Sequence, residues 1–120
     1  MKPTILYIAE YEKDIQSFFK YLNNKLMSEN RTCKLDLRND CIEIDNYMII
    51  GKSLHSGRLG ADYGYVQYYT VSSKLTKNDV HYKDNLPENL KYYLDTILIH
   101  TRKDTKEISE LEMLYVLGLV

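Results

Sequence analysis

Apolar residues follow two different spacings in the first quarter of the chain. Residues 4–9, TILYIA, form a nearly continuous apolar and β-branched run, which is typical of a strand buried on both faces of a sheet. Over residues 11–28 the apolar positions recur at helical spacing, as Ile15, Phe18, Phe19, Leu22 and Leu26. The pattern therefore predicts a central strand followed by an amphipathic helix.

Shorter β-type runs follow the helix. Alternating or apolar patterns predict strands over residues 32–38, 41–45 and 47–50, separated by turns at Asn39-Asp40 and at Asn46. Residues 63–71 are rich in aromatic and β-branched side chains and predict a further strand, with Tyr65 and Gln67 on one face and Val66 and Tyr68 on the other. The polar residues 72–85 predict a loop.

The last third of the chain predicts two helices. Pro87 stands at a first helical position and apolar residues follow at helical spacing to about residue 101, although residues 97–100 also fit a strand. Asp104 with Glu107, and Ser109 with Glu112, have the spacing of a capping box. The apolar end, residues 117–120, must either pack back or meet a partner, which includes a second copy bound through the C-terminal helix.

These elements predict one α/β or α+β domain over residues 1–120. We expect a four- to five-stranded mixed sheet, with helix 11–28 on one face and the two C-terminal helices beside it.

Composition and charge exclude several classes of protein. Sixteen Lys and Arg residues face 17 Asp and Glu residues, for a net charge of -1, which argues against a strongly basic nucleic-acid binder and against a polyanionic DNA mimic. The two cysteines, Cys33 and Cys41, are too few for a disulfide scaffold or a four-cysteine zinc site. We therefore expect a reducing compartment, the cytoplasm. No segment has the length of a membrane span, so no membrane partner is predicted.

Tyrosine is the unusual residue, with 12 copies against two Phe and no Trp. The densest group is Tyr63, Tyr65, Tyr68 and Tyr69, with Tyr82, Tyr92 and Tyr93 later in the chain. Stacking of nucleic-acid bases on these rings would need basic neighbours, yet residues 61–73 carry only Asp62 as a charged residue. Because tyrosine is frequent where proteins bind one another, this group is predicted to combine a core strand with a contact to another protein.

The glycine-rich segment 51–64 is the second candidate site. Gly51-Lys52-Ser53 resembles the end of a phosphate-binding Walker A loop, but Asn46 stands where the first glycine is required and an apolar strand pattern lies between. Arg58, flanked by glycines and joined by His55 and Lys52, is the better candidate for binding a phosphate or carboxylate. The alternative is an ordinary glycine-rich connection with a solvated Arg58.

Other residue types give no coherent catalytic set. The three histidines lack the spacing of a two-histidine phosphoesterase, and the acidic residues of the predicted hairpin have no histidine beside them. No catalytic residue, metal site or cofactor is predicted.

Three segments resemble a helicase- or terminase-type P-loop ATPase core of the kind that phages encode. Residues 5–22 resemble its strand and helix after the Walker A helix, residues 41–54 a hairpin, and residues 57–69 the turn and strand leading to the Walker B acid. No Walker A loop precedes Thr4, and Thr70-Val71-Ser72 stands where an Asp-Glu pair belongs. The resemblance implies a degenerate, non-hydrolytic remnant that binds another molecule.

The sequence thus predicts a small non-catalytic protein-binding module. We expect it to be encoded by a virus or phage and to inhibit or regulate a larger host protein involved in defence or in handling nucleic acid. Two alternatives stay open, namely binding or processing of a phosphorylated small molecule or nucleotide at segment 51–64, and binding of single-stranded nucleic acid.

Overall fold

The computed structural model describes residues 2–56 and 61–120. Within these ranges the chain forms six strands and five helices. The strands are β1 (Thr4–Ala9), β2 (Cys33–Asp36), β3 (Cys41–Ile44), β4 (Met48–Ser53), β5 (Tyr68–Val71) and β6 (Lys106–Glu107). The helices are α1 (Glu12–Ser28), α2 (Ser73–Thr76), α3 (Tyr82–Asn85), α4 (Glu88–Leu98) and α5 (Glu110–Val116).

All six strands belong to one mixed sheet in the order β2-β3-β4-β1-β5-β6. Strands β4, β1, β5 and β6 are parallel, whereas β3 is antiparallel to β4 and β2 is antiparallel to β3. At the centre, Tyr7 lies opposite Gly51 on one side and Thr70 on the other. The four parallel strands end at the same side of the sheet, which we call the carboxyl edge.

Helices cover both faces of the central strand. Ile5, Tyr7 and Ala9 pack with α1 and α5, while Leu6 and Ile8 pack on the opposite face, where α4 lies. Every residue of β1 is buried, since both of its faces are covered. The nearly continuous apolar run of residues 4–9 therefore reflects burial on both faces of the sheet, as predicted.

The predicted architecture is confirmed as a single α/β domain with a mixed sheet, although the sheet has one strand more than expected. The additional strand is the two-residue β6, which pairs with β5. None of the helices in the described part of the chain has the length and apolar character needed to cross a membrane.

The strand predicted over residues 63–71 is wrong in its first half, because only Tyr68–Val71 is a strand. The amide of Val66 donates to the carbonyl of Tyr63 at 3.1 Å, which closes a turn. The Asp62 carboxylate accepts a hydrogen bond from the Gly64 amide at 2.8 Å. Such side-chain to backbone bonds favour a turn over an extended strand.

The loop predicted over residues 72–85 is also incomplete, since it contains the single-turn helices α2 and α3. Residues 97–98 end α4, so the helical interpretation of that segment holds and the strand alternative is wrong. Ser109 and Glu112 form a capping box at the start of α5.

The apolar C-terminal end packs back onto the domain. Leu117 and Leu119 are buried in the core on the α1 side of the sheet. The Arg31 guanidinium donates to the Leu117 carbonyl and also pairs with Asp45. Of the two outcomes expected for this end, packing against the same chain is the one observed.

Candidate functional site

The chain leaves neighbouring strands toward opposite faces at the carboxyl edge. After β1 it enters α1 on one face, whereas the connection after β4 places Leu54, Tyr63 and Val66 in the core on the other face. In open α/β sheets such a switch point forms a crevice outside the strand ends, where ligands commonly bind. The residues that follow β1 and β4 are therefore candidates for a binding site.

Four ring side chains meet at this point. Tyr11 follows β1, His55 follows β4, and Tyr92 and Tyr93 come from α4; we call them the aromatic cluster. Ring centroids are 5.2 Å apart for Tyr11 and His55, 6.2 Å for His55 and Tyr93, and 5.9 Å for Tyr92 and Tyr93. The Tyr92 side chain is 67% exposed and that of Tyr11 47%. The rings therefore support one another while presenting a large part of their surface to solvent.

Charged groups of both signs border the aromatic cluster. Glu10 Oε2 lies 3.2 Å from His55 Nε2, and hydrogen bonding with the same carboxylate raises the pKa of Tyr11. The Lys13 ammonium lies 5.4 Å from the centre of the Tyr11 ring, within the range of a cation–π contact. The surroundings of the cluster are thus mixed in charge rather than basic.

A cavity of about 430 Å³ adjoins Glu10 at the ends of β1 and β5. Its lining comes from the strand end, from α2 and from the segment joining α3 to α4, and includes Glu10, Lys74, Lys77, Leu86 and Leu90. Lys74 reaches out of α2 to the buried Asp14 carboxylate at 2.8 Å. The volume is in the range of small-molecule pockets, and the lining contains two lysines together with the acidic residues Glu10 and Asp79.

A pair of carboxyl groups lies at the start of α1. Hydrogen bonding with the Asp40 side chain, together with a partial loss of hydration, raises the pKa of the largely exposed Glu12 to about 7, and the nearby Lys52 ammonium opposes that rise. Asp40 Oδ1 is buried and accepts no hydrogen bond from the donors of the described residues. Near neutral pH this pair therefore holds a proton that ordinary surface carboxylates have lost.

The structure separates the tyrosines that the sequence grouped. Tyr63 and Tyr69 are buried in the core on the α4 side, Tyr68 is half-buried against the opposite core, and only Tyr65 is well exposed. In β5 the pleat sends Tyr68 and Tyr69 to opposite faces, as the period of a strand requires. These four rings do not share one surface.

The glycine-rich segment is described in part. Gly51, Lys52 and Ser53 form the end of β4, and His55 belongs to the aromatic cluster. Arg58, with Gly57 and Gly60, lies outside the described residues. Cys33 and Cys41 are half-buried free thiols and are not paired across the strands. Among residues 2–56 and 61–120, no group of three or more His, Cys, Asp or Glu side chains is placed to hold a metal ion.

Sequence reasoning missed Glu10 and Tyr11 as site residues, and it noted Tyr92 and Tyr93 among the later tyrosines without including them in the candidate site. One signal was present, because Glu10 and Tyr11 directly follow a predicted central strand, and strand ends form binding crevices. No signal in the sequence indicated that α4 contributes Tyr92 and Tyr93 to the site, because their position depends on how that helix packs across the sheet.

Comparisons with known proteins give no assignment: no protein-family model matches the chain, and neither curated proteins nor solved structures give a significant match.

Proposed function

We propose that this protein is a small non-catalytic protein-binding module and that the aromatic cluster is the centre of its contact surface. The observation that carries the proposal is the exposed, mutually packed set Tyr11, His55, Tyr92 and Tyr93 at the switch point of the sheet. The partner is a larger protein that the module inhibits or regulates.

Physical chemistry favours such a cluster as a protein contact. A tyrosine ring contributes a large apolar area, while its hydroxyl remains satisfied by water or by a polar group of the partner. Because Tyr11 and His55 already stack, and Tyr93 makes an edge-on contact with His55, the rings lose little freedom on binding. Prepacked aromatic anchors of this kind dominate the energetics of many protein interfaces.

The charge around the cluster supports a protein rather than a nucleic acid as the partner. Glu10 lies beside His55 and hydrogen-bonds with Tyr11, and the net charge of the chain is -1. Binding to a phosphate backbone gains its affinity from several clustered cations. A mixed-charge rim around an apolar centre instead matches the usual anatomy of protein interfaces.

Hydroxyl-radical footprinting of the protein, alone and bound to the partner captured from its native cells, tests this proposal. We expect protection of Tyr11, Tyr92 and Tyr93, with unchanged labelling of Tyr21 and Tyr115, which are exposed on other helices. Protection confined to Tyr21 or Tyr115, or failure to capture any protein above background, would contradict it.

A second candidate function is the binding of a small phosphorylated molecule in the 430 Å³ cavity. The observation that favours it is the placement of Lys74 and Lys77 around a pocket at the strand ends. Native mass spectrometry with ATP and with inorganic phosphate gives the test. We expect Lys77→Asn to weaken retention at least tenfold, or about 1.4 kcal/mol, and Lys103→Ala, at an exposed position outside the cavity, to leave it unchanged. The absence of any adduct would exclude this candidate.

A further inference from the structure

A second concave surface lies farther along the carboxyl edge, at the ends of β5 and β6. It has a volume of about 440 Å³ and runs between the segment that carries α2 and α3 and the segment from β6 to α5. We call it the acidic groove. It is lined by Val71, Ser73, Thr76, Asn78, Asp79, Val80, Tyr82 and residues 107–112.

Four carboxylates line the acidic groove, from Asp79, Glu107, Glu110 and Glu112, and no Lys, Arg or His residue belongs to its described lining. Glu107 has a cationic partner, because Lys83 Nζ lies 3.3 Å from it. The other three accept hydrogen bonds from backbone amides: Asp79 from His81, Glu110 from Ser73 and Glu112 from Ser109. Such bonds orient a carboxylate but leave its negative charge in place, so the groove attracts cations.

Aliphatic side chains accompany the carboxylates. Val80 on one wall is 88% exposed and Leu111 on the other is 65% exposed. Between them, Val71 and Ile108 are buried at the floor. Exposed aliphatic groups on both walls of a concave surface stabilise a ligand that brings apolar atoms of its own.

The walls are held in place by a hydrogen-bonded network that includes the lining residues Glu107 and Tyr82. The Glu107 carboxylate accepts a hydrogen bond from the Tyr82 hydroxyl at 2.6 Å and one from the Tyr69 hydroxyl at 3.1 Å. Glu107 belongs to β6 and Tyr82 to α3, which lie on opposite sides of the groove. The network therefore fixes the separation of the walls before any ligand arrives.

We propose that the acidic groove binds a short segment of a partner protein in which Lys or Arg side chains alternate with aliphatic ones. The negative charge of the lining selects the basic side chains, and Val80 and Leu111 contact the aliphatic ones. A cavity of this volume holds a few side chains rather than a folded surface. This surface shares no residue with the aromatic cluster, so the inference does not depend on that cluster. It shares Thr76, Asp79 and Tyr82 with the 430 Å³ cavity.

Fluorescence anisotropy of the full chain with a labelled hexapeptide of alternating lysine and leucine tests the proposal. Peptides of alternating glutamate and leucine, and of lysine and serine, are the controls for charge and for apolar contact. We expect binding of the lysine–leucine peptide alone, weakened as salt rises because the exposed charges are screened. Equal binding of the lysine–serine peptide, or no binding of any peptide, would overturn the proposal.

Variants locate the bound peptide. The double variant Asp79→Asn and Glu112→Gln should weaken binding at least about fivefold, while both amides preserve the hydrogen bonds that these side chains accept from the backbone. Leu111→Ala should weaken it about threefold. Glu88→Gln and Ile99→Ala, exposed residues outside the groove, are the matched controls and should have no effect.

Two further outcomes separate this inference from its alternatives. Tyr92→Ala should leave peptide binding unchanged; a loss would place the peptide on the aromatic cluster and contradict the inference. Sedimentation analysis should give the mass of a monomer for both the wild type and Leu111→Ala. A dimer that Leu111→Ala dissociates would assign the groove to a second copy of this chain and would also contradict it.

Discussion

Gly51 lies in β4 where α1 crosses the sheet, and the packing leaves no room for a side chain. A Cβ atom at this position would overlap Ile15 Cγ2 and lie 3.2 Å from Phe19 Cζ. In the sequence, Gly51-Lys52-Ser53 suggested part of a phosphate loop. The structure gives the glycine a packing role, because it allows α1 to approach the sheet closely.

We expect Gly51→Ala to lower the free energy of unfolding by about 1–3 kcal/mol, since both neighbours are buried and must shift. Gly64→Ala is the matched control. Its new Cβ would meet mainly the Asp62 carboxylate, which belongs to an exposed residue, so the cost should stay below about 1 kcal/mol. Urea unfolding of both variants gives the comparison, and equal stability for the two would refute the packing role of Gly51.

Glu12 makes stability depend on pH in an unusual direction. Its pKa is raised from 4.5 to about 7 in the folded protein, with the hydrogen bond to Asp40 as the largest cause. Between these two values the folded state binds more protons than the unfolded state, so stability falls as pH rises. The contribution is complete below about pH 4.5 and is lost as pH passes through 7.

We expect Glu12→Gln to remove this pH dependence, because the amide still hydrogen-bonds to Asp40 but carries no charge. At pH 8 the variant should be more stable than the wild type by up to about 1 kcal/mol, a small value because Glu12 is exposed to solvent. Urea unfolding at pH 5 and pH 8 measures the difference. If the free energy of unfolding of the wild type instead rose relative to that of Glu12→Gln between pH 5 and pH 8, Glu12 and Asp40 would not share a proton.

At the scale of elements, the start of α5 shows how far spacing alone can predict a helix. Two capping-box spacings occur in the sequence, and only that of Ser109 and Glu112 caps a helix. The other leads into β6, where Lys106 and Glu107 pair with Tyr68 and Tyr69. The two capping-box spacings are equivalent as local signals for the start of a helix. Residues 106–107 form a strand instead, because they pair with β5, which is distant in the sequence.

Ser109→Ala should therefore destabilise the protein by about 1 kcal/mol, because the amide of Glu112 loses its acceptor at the start of a helix that carries the buried Met113. Asp104→Ala, at the unused spacing, should change stability by less than about 0.5 kcal/mol. Thermal unfolding distinguishes them, and an equal loss in both variants would argue against a specific cap.

The elements that the sequence predicted well are those with a strong local period. Strand β1 and helix α1 agree with the apolar pattern within one residue at each end. Residues 63–67 were wrongly predicted to be part of a strand. Tyr63 and Val66 enter the core from a turn, and the composition of this turn is as rich in aromatic residues as that of a strand. The helices α2 and α3 are single turns, too short to establish a periodic pattern.

At the scale of the whole molecule, the aromatic cluster, the 430 Å³ cavity and the acidic groove all lie along the carboxyl edge of one sheet. They draw on residues that follow β1 and β4, on β5 and β6, and on the helices beside them, so their proximity depends on strand order. The sequence alone did not specify that order. His55 was predicted as a site residue, whereas its contacts with Tyr11 and Tyr93 became visible only in the fold. The resemblance to P-loop ATPases, the viral source and a role for Arg58 stay predictions.

The affinity of the captured partner for two matched variants shows whether the aromatic cluster is the contact surface. Tyr92 on α4 and Tyr115 on α5 are exposed to a similar extent, 67% and 72%, but only Tyr92 belongs to the aromatic cluster. We predict that Tyr92→Ala weakens partner binding at least tenfold, or about 1.4 kcal/mol, while Tyr115→Ala binds as the wild type does. Equal affinities for the two variants, or a loss confined to Tyr115→Ala, would mean that the partner does not bind at the aromatic cluster.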